Sequence, residues 1–237
     1  MTDVLAIVPA RAGSKGIPNK NFRLLAGISP YERAFHCAVN AGLPIIVTTT
    51  DWVIDKPVWR CPIVRPVVSH WIQRDPRLAQ DDTPMVEVVQ DALDHVPGPP
   101  DQIIVLLQPT QPLRTPGHIL SAIKLLEQTK ADSVVSVVET RSPDELLELR
   151  DGNRLKRSMG WSLGDCPSRR QDMTRGFWRD GTCYLFRRET VTRHGDIYGV
   201  DCRALVIPPT DTCALDTMAD WAEAERRLRE RAVHAHV

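Results

Sequence analysis

The sequence predicts an α/β fold with a mostly parallel sheet and helices on both of its faces. Short apolar runs alternate with amphipathic stretches through the first half of the 237-residue chain, as strands and crossover helices alternate in βαβ units. One run, Ile103–Leu107, is apolar throughout, which is typical of a central strand covered on both faces. A hydroxyl residue followed by proline precedes several of the amphipathic stretches, and this pair favours the start of a helix.

The predicted elements follow from local signals along the chain. The first strand covers Val4–Val8, and Ser29 and Glu32 form a capping box that starts a helix ending near Gly42. The later elements are a strand over Ile45–Thr49, a helix from Thr83 to about Val96, the strand Ile103–Leu107, a helix from Thr115 to about Thr129, strands over Ser133–Val138, Cys183–Phe186 and Leu205–Ile207, and a last helix from Thr217.

The alternation of strands and helices stops near residue 140. Residues 151–180 contain seven basic and four acidic residues and few long apolar runs, which indicates a loop or arm that contacts a substrate. We therefore expect a single domain over residues 1–237, with a substrate or dimerisation arm at about 140–200.

Composition excludes several classes of partner and location. Thirty basic residues balance thirty acidic ones, so no overall charge attracts nucleic acid or an anionic membrane. No apolar run approaches the roughly 20 residues of a membrane-spanning helix. The six cysteines form no C-x-x-C pair, and a chain of this length forms a core without disulfides. We expect a cytoplasmic protein with reduced thiols.

The loop after the first strand carries the densest chemical signal in the sequence. Gly13 and Gly16 allow tight turns and expose backbone N–H groups, while Arg11, Lys15 and Lys20 supply positive charge. A loop of this kind at the carboxyl end of a strand is suited to a polyphosphate. It matches neither the P-loop nor the Rossmann fingerprint, and the alternative interpretation is a flexible basic surface loop.

Five segments resemble one known family in their order along the chain. The first, PARAGSKGIPNKN over Pro9–Asn21, resembles the signature of the acylneuraminate cytidylyltransferases, the CMP-sialic acid synthetases. The other four are LQPTQPLRT over Leu107–Thr115, DSVVSVVE over Asp132–Glu139, the segment from Arg170-Gln171 through Asp180-Gly181 to Tyr184, and LDTMADWAEAE over Leu215–Glu225. The resemblance spans nearly the whole chain.

The resemblance implies a doubly wound fold of the nucleotide-diphospho-sugar transferase type. It implies transfer of CMP from CTP to a 2-keto-3-deoxy sugar acid, release of pyrophosphate, Mg²⁺ as cofactor and a homodimer. By the same resemblance, the nucleotide would be bound by Arg11, Gly13, Ser14, Lys15, Lys20, Asn21 and Arg74. The acceptor would be bound by Gln108, Arg170, Gln171, Phe177, Asp180 and Tyr184. The catalytic residues would be Arg11, Lys15 and Asp216, with Asp216 as the metal ligand.

The chain departs from the family pattern at three places. Ala214 stands where the first aspartate of the D-x-D-T element is expected, so Asp216 alone remains. Mg²⁺ can be held by one or two carboxylates together with substrate phosphates. The alternative role for Asp216 is the N-cap of the last helix. Asp211 lies close by as a candidate substitute ligand, but its register does not match the family element. Gln111 and Asp180 stand where the family has serine and asparagine, and both fall in segments that are expected to face the acceptor.

These departures keep alternative functions open. The same reaction with another acceptor, such as a legionaminic, octulosonic or non-sugar acid, agrees with the changes at the acceptor segments. A nucleotidyltransferase for another base is a second alternative. A catalytically degenerate protein that still binds the nucleotide is the third, and Ala214 is its motivation.

Overall fold

A seven-stranded sheet organises the part of the chain that a computed structural model describes, namely residues 3–11, 16–49, 68–150, 154–157 and 169–234. The described strands are β1 (Val4–Ala10), β2 (Ile45–Thr49), β3 (Val68–Gln73), β4 (Ile103–Leu106), β5 (Ser133–Thr140), β6 (Leu147–Arg150), β7 (Arg154–Arg157), β8 (Gly176–Arg187) and β9 (Cys202–Val206). The described helices are α1 (Pro30–Asn40), α2 (Met85–His95), α3 (Pro116–Thr129), α4 (Arg188–His194) and α5 (Met218–His234).

The strand order of the sheet is β3-β2-β1-β4-β8-β5-β9. All neighbouring strands are parallel except that β8 runs antiparallel to both β4 and β5. The chain moves outward from β1 to β3 and then returns to β4 on the other side of β1. At such a switch point the carboxyl ends of the two central strands open a crevice. The predicted α/β fold with a mostly parallel sheet is confirmed.

Helices cover both faces of this sheet. On one face, Val8 of β1 packs in a cluster with Phe35 of α1 and Ile119 of α3, all of them fully buried. On the other face, the next residue of β1, Ile7, belongs to a cluster with Val89 of α2. Since neighbouring residues of a strand point to opposite faces, a strand covered on both sides must be apolar throughout, as β1 and β4 are.

Helix boundaries follow the capping signals in the sequence. The Ser29 side chain accepts a hydrogen bond from the Glu32 N–H, and the Glu32 carboxylate accepts one from the Ser29 N–H, so the predicted capping box of α1 is present. Gly42 has a φ of +74° just after the end of this helix, where a residue with a Cβ is strained. No helix among the described residues combines the length and the apolar composition needed to cross a membrane.

The range of the predicted arm, about 140–200, includes a strand of the main sheet. β6 and β7 form a separate two-stranded sheet, but β8 lies inside the main sheet between β4 and β5. Its first half, Gly176–Asp180, exposes three successive side chains, and only its second half has the buried apolar character from which the strand Cys183–Phe186 was predicted. The edge strand β3 was not predicted, because it contains polar residues and lacks an apolar run.

Candidate active site

Two adjoining clefts lie at the carboxyl ends of β1 and β4. The first, here called the basic cleft, has a volume of about 310 Å³ and is lined by Arg11, Lys20, Asn21, Arg74, Asp81 and Gln108, among others. The second, here called the aromatic cleft, has a volume of about 390 Å³ and is lined by Gln108, Phe177, Trp178, Arg179, Tyr184 and Tyr198, among others. Gln108 and Met85 line both clefts, so the two volumes share a border.

The cations of the basic cleft are held by neighbouring groups. Arg11 directly follows β1; its Nη1 donates to the Ala79 carbonyl at 3.0 Å, and its Nη2 contacts the Asp81 carboxylate at 2.6 Å. The Asn21 side chain donates to the Arg11 carbonyl at 3.0 Å. Asp81 is a residue of this cleft that the sequence did not indicate, because its contact with Arg11 spans 70 residues.

Arg74 forms the buried wall of the same cleft, with 4% of its surface exposed. Burial lowers the pKa of its guanidinium to about 10, against the opposing effect of Asp91. The group therefore still carries its charge at neutral pH. A buried cation at the end of a cleft is suited to an anionic or strongly polar ligand group.

Asp216 lies beside the basic cleft with its carboxylate 76% exposed and 3.7 Å from Lys20 Nζ. The Lys20 ammonium also donates to the Leu215 carbonyl at 2.5 Å. A Cβ on Gly16 would lie only 2.9 Å from the Asp216 carbonyl oxygen, so a glycine is needed where the loop after β1 meets this segment.

The alternative role of Asp216 as a helix cap is wrong. Asp220 and Thr217 form the reciprocal cap of α5: the Asp220 carboxylate accepts from the Thr217 N–H at 2.7 Å, and the Thr217 hydroxyl accepts from the Asp220 N–H at 3.2 Å. Asp211 pairs with Arg231 at 2.6 Å and with His118 at 3.3 Å. Asp216 makes neither of these contacts, and its carboxylate lies 3.7 Å from the ammonium of Lys20, a residue that lines the basic cleft.

The residues present fit a weakly liganded magnesium ion. Within the described ranges, no group of three or more histidine, cysteine, aspartate or glutamate side chains is arranged to hold a metal. Ala214 is exposed and offers no ligand. Because Mg²⁺ retains several waters and can use one carboxylate together with substrate phosphates, Asp216 beside a cationic cleft is compatible with the ion.

Gln111 and Asp180, two of the residues that depart from the family pattern, make contacts within the protein. Gln111 is 3% exposed; its amide nitrogen donates to the Asp180 carbonyl and its amide oxygen accepts from the Cys213 N–H at 3.3 Å. The Asp180 carboxylate accepts from the backbone N–H and the hydroxyl of Thr182. Neither side chain lines the aromatic cleft, and the polar groups of Gln111 and Asp180 are used in contacts within the protein.

Arg114 connects the two strands that carry the aromatic cleft. Its buried guanidinium donates to the carbonyls of Gln108, Gly181 and Thr182. These bonds hold the loop after β4 against the bend in β8, where Gly181 has a φ of +78°. Burial lowers the pKa of Arg114, and the carbonyl dipoles compensate the charge.

The structure thus brings together seven of the predicted residues in the two clefts: Arg11, Lys20, Asn21, Arg74, Gln108, Phe177 and Tyr184. Gln171 is exposed in a short 3-10 helix and lines neither cleft. Gly13, Ser14, Lys15 and the side chain of Arg170 lie outside the described residues. The sequence did not indicate Trp178, Arg179 or Tyr198 as lining residues. The one available signal was that Trp178 and Arg179, an aromatic and a basic residue, directly follow the predicted Phe177.

Comparisons with known proteins show the family to which the chain is similar. A family model described as "Cytidylyltransferase" matches residues 5–198. The N-acylneuraminate cytidylyltransferase of Streptococcus agalactiae serotype III (strain NEM316) is 28% identical over 222 residues, which are 92% of this chain and 51% of that protein. The post-translational flagellin modification protein B of Campylobacter coli is 23% identical over 243 residues, 99% of both chains. The chain spans about half the length of the N-acylneuraminate cytidylyltransferases that it matches.

Two solved structures share the fold. A CMP:2-keto-3-deoxy-manno-octonic acid synthetase complexed with CTP superposes with a TM-score of 0.68 at 15% identity, covering 97% of this chain and 100% of that one. The 4-diphosphocytidyl-2C-methyl-D-erythritol synthase of Anaerococcus prevotii DSM 20548 superposes with a TM-score of 0.63 at 12% identity, covering 96% and 99%.

Proposed function

Because the chain belongs to the cytidylyltransferase family, we propose that it transfers CMP from CTP to a 2-keto-3-deoxy sugar acid and releases pyrophosphate. The observation that carries this proposal is the pair of clefts that meet at Gln108. The basic cleft offers cations to a triphosphate, while the aromatic cleft offers rings and one guanidinium to a sugar acid. The N-acylneuraminate cytidylyltransferases of Streptococcus and of Danio rerio are relatives whose names state such a reaction.

In this proposal the anomeric hydroxyl of the acceptor attacks the α-phosphorus of CTP. A new oxygen–phosphorus bond forms, the bond to the β-phosphate oxygen breaks, and the hydroxyl proton is given up to a base. Negative charge on the phosphoryl oxygens is neutralised by fixed cations, a role suited to Arg11, Lys20 and Lys15. Arg11 must exchange its contact with Asp81 for the phosphates, so CTP competes with this carboxylate.

The remaining nucleotide contacts follow from position in the basic cleft. Asn21 and Arg74 line its buried end and would seat the nucleoside. Gly13 and Ser14 would contribute backbone and hydroxyl contacts to the phosphates. Asp216 would hold Mg²⁺, which supplies further neutralisation of phosphate charge when bound.

We also propose a homodimer in the cytoplasm. On the β6–β7 hairpin, Leu149 and Leu155 are directly paired, and they are 68% and 51% exposed. Leu147, two residues before Leu149 and therefore on the same face, is 42% exposed. A two-stranded hairpin is marginally stable alone, and a second subunit would cover this apolar face. Four described cysteines carry free thiols, which suits a reducing compartment.

A catalytically degenerate nucleotide-binding protein is the second candidate function. Ala214 favours it, since this exposed position offers no metal ligand. The choice of acceptor is a separate question: legionaminic, octulosonic and non-sugar acids are alternatives, and the full-length Campylobacter relative is named for flagellin modification.

The test is pyrophosphate release from CTP and Mg²⁺ with a panel of 2-keto-3-deoxy sugar acids. We expect release with at least one acid and its loss in Asp216→Ala. We also expect Lys15→Ala to reduce turnover far more than it lowers the melting temperature. CTP binding without pyrophosphate release from any acid would favour the degenerate alternative, and failure to bind CTP would overturn the proposal.

A further inference from the structure

We infer that Arg179 is the residue that binds the carboxylate of the acceptor. This inference rests on the proposed function, because it assigns the acceptor to the aromatic cleft. Among the described residues that line this cleft, Arg179 is the sole charged side chain; the others are apolar, aromatic, phenolic or amide groups. A single cation in such a lining leaves a positive charge to be matched by the ligand.

Tyr198 holds the guanidinium of Arg179 in place. Arg179 Nη1 donates to the Tyr198 hydroxyl, and its central carbon lies 5.5 Å from the centroid of the same ring. Stacking on an aromatic face and a hydrogen bond restrict the long side chain before any ligand arrives. A guanidinium has five N–H donors, and the bond to Tyr198 uses one of them.

No described carboxylate pairs with Arg179, although one is adjacent in the sequence. The Asp180 carboxylate accepts from the Thr182 backbone N–H at 3.1 Å and from the Thr182 hydroxyl. Asp180 is 6% exposed, whereas Arg179 is exposed to the cleft. The local acid is therefore committed to the bend in β8 and does not neutralise the guanidinium.

The chemistry of the cleft selects a carboxylic acid over a neutral sugar. Arginine binds a carboxylate through two parallel N–H bonds in a fixed plane. Trp178 and Tyr184 line the same cleft as Arg179 and offer surfaces for the apolar face of a sugar ring. Because the cleft borders the basic cleft at Gln108, an acid anchored by Arg179 lies next to the nucleotide.

The experiment compares N-acetylneuraminic acid with its methyl ester in wild type, Arg179→Gln and Arg179→Lys. Pyrophosphate release gives KM for the acid and for CTP, and calorimetric titration with CTP present gives the affinity for each ligand. Wild type should bind the acid at least about 10-fold more tightly than the ester. Arg179→Gln should raise KM for the acid by about 10- to 100-fold without changing KM for CTP, and should bind acid and ester alike. The KM of Arg179→Lys for the acid should lie between the values of wild type and Arg179→Gln.

Two further variants separate binding from folding. Arg203→Gln removes an exposed arginine of β9 that pairs with Asp201 at 2.6 Å, and it should behave as wild type. Tyr198→Phe removes the hydroxyl that positions Arg179 and should raise KM for the acid by a smaller factor at an unchanged melting temperature.

The outcomes distinguish this inference from the proposed function. If wild type releases pyrophosphate and Arg179→Gln keeps the wild-type KM for the acid, the Arg179 assignment is overturned while the reaction stands. If wild type binds the acid through Arg179 yet releases no pyrophosphate, the assignment stands and the reaction fails. Equal affinity of wild type for acid and ester, or binding of neither, overturns the assignment.

Discussion

Replacement of Arg114 by leucine should strongly destabilise the protein although it removes no acidic partner. Its guanidinium donates to the carbonyls of Gln108, Gly181 and Thr182, and bonds from a charged donor contribute about 1.5–3 kcal/mol each. Three such bonds amount to about 5–9 kcal/mol. Burial of the charge, which lowers the pKa of Arg114, costs several kcal/mol and opposes this gain.

The balance predicts a net loss of stability for Arg114→Leu, because leucine leaves three carbonyls without donors. We expect the free energy of unfolding to fall by about 3–5 kcal/mol, the usual cost of breaking a buried charged network. For a chain of this size that corresponds to a fall in melting temperature of about 6–20 °C. Urea denaturation followed by tryptophan fluorescence gives the free energy of unfolding directly. Arg114→Lys should lose less, because an ammonium keeps part of the bonding.

Arg229→Leu provides the matched control. Arg229 is 70% exposed on α5 and pairs with Glu225 at 2.9 Å, so its loss should cost at most about 0.5 kcal/mol. A free energy of unfolding for Arg114→Leu within about 1 kcal/mol of wild type would refute the reasoning. It would show that desolvation of the guanidinium cancels its three hydrogen bonds.

Three further predictions concern the metal segment and a buried thiol. Asp216→Ala should lower pyrophosphate release by about 10- to 100-fold at an unchanged melting temperature, whereas Thr217→Ala should cost about 1 kcal/mol of stability through the lost cap and little activity. Ala214→Asp should reduce the Mg²⁺ concentration for half-maximal activity by about tenfold, equivalent to 1.4 kcal/mol of binding energy. Burial raises the pKa of Cys183 from 9.0 to about 12, so the unfolded thiol loses its proton first and stability should fall between about pH 9 and 12. Cys183→Ala should flatten this decline in chemical denaturation series.

A specific result would contradict each of these three predictions. Loss of activity in Thr217→Ala together with retention in Asp216→Ala would reverse the roles assigned to the two residues. An unchanged Mg²⁺ requirement in Ala214→Asp would mean that position 214 does not face the ion. An alkaline decline of the same size in Cys183→Ala would place the responsible group elsewhere.

Local signals in the sequence account for the elements that were predicted correctly. The capping box at Ser29 and Glu32 and the continuous apolar run of β4 involve residues within a few positions of one another. The basic cleft was predictable for the same reason, because Arg11, Lys20 and Asn21 belong to one short loop. Contiguous residues at the end of a strand remain together whatever the rest of the chain does.

The tertiary structure decided what distant residues do to one another. Gln111 reaches Asp180 and Cys213, which are 69 and 102 residues away, so a residue from a segment expected to face the acceptor joins two distant segments of the chain. The aromatic cleft likewise depends on β8 entering the middle of the sheet, which places Arg179 beside Tyr198. The order of the residues thus determined the fold class, the helix starts and the basic residues that follow β1. Long-range packing determined which side chains line the clefts, because a polar group turns inward wherever folding brings it a partner.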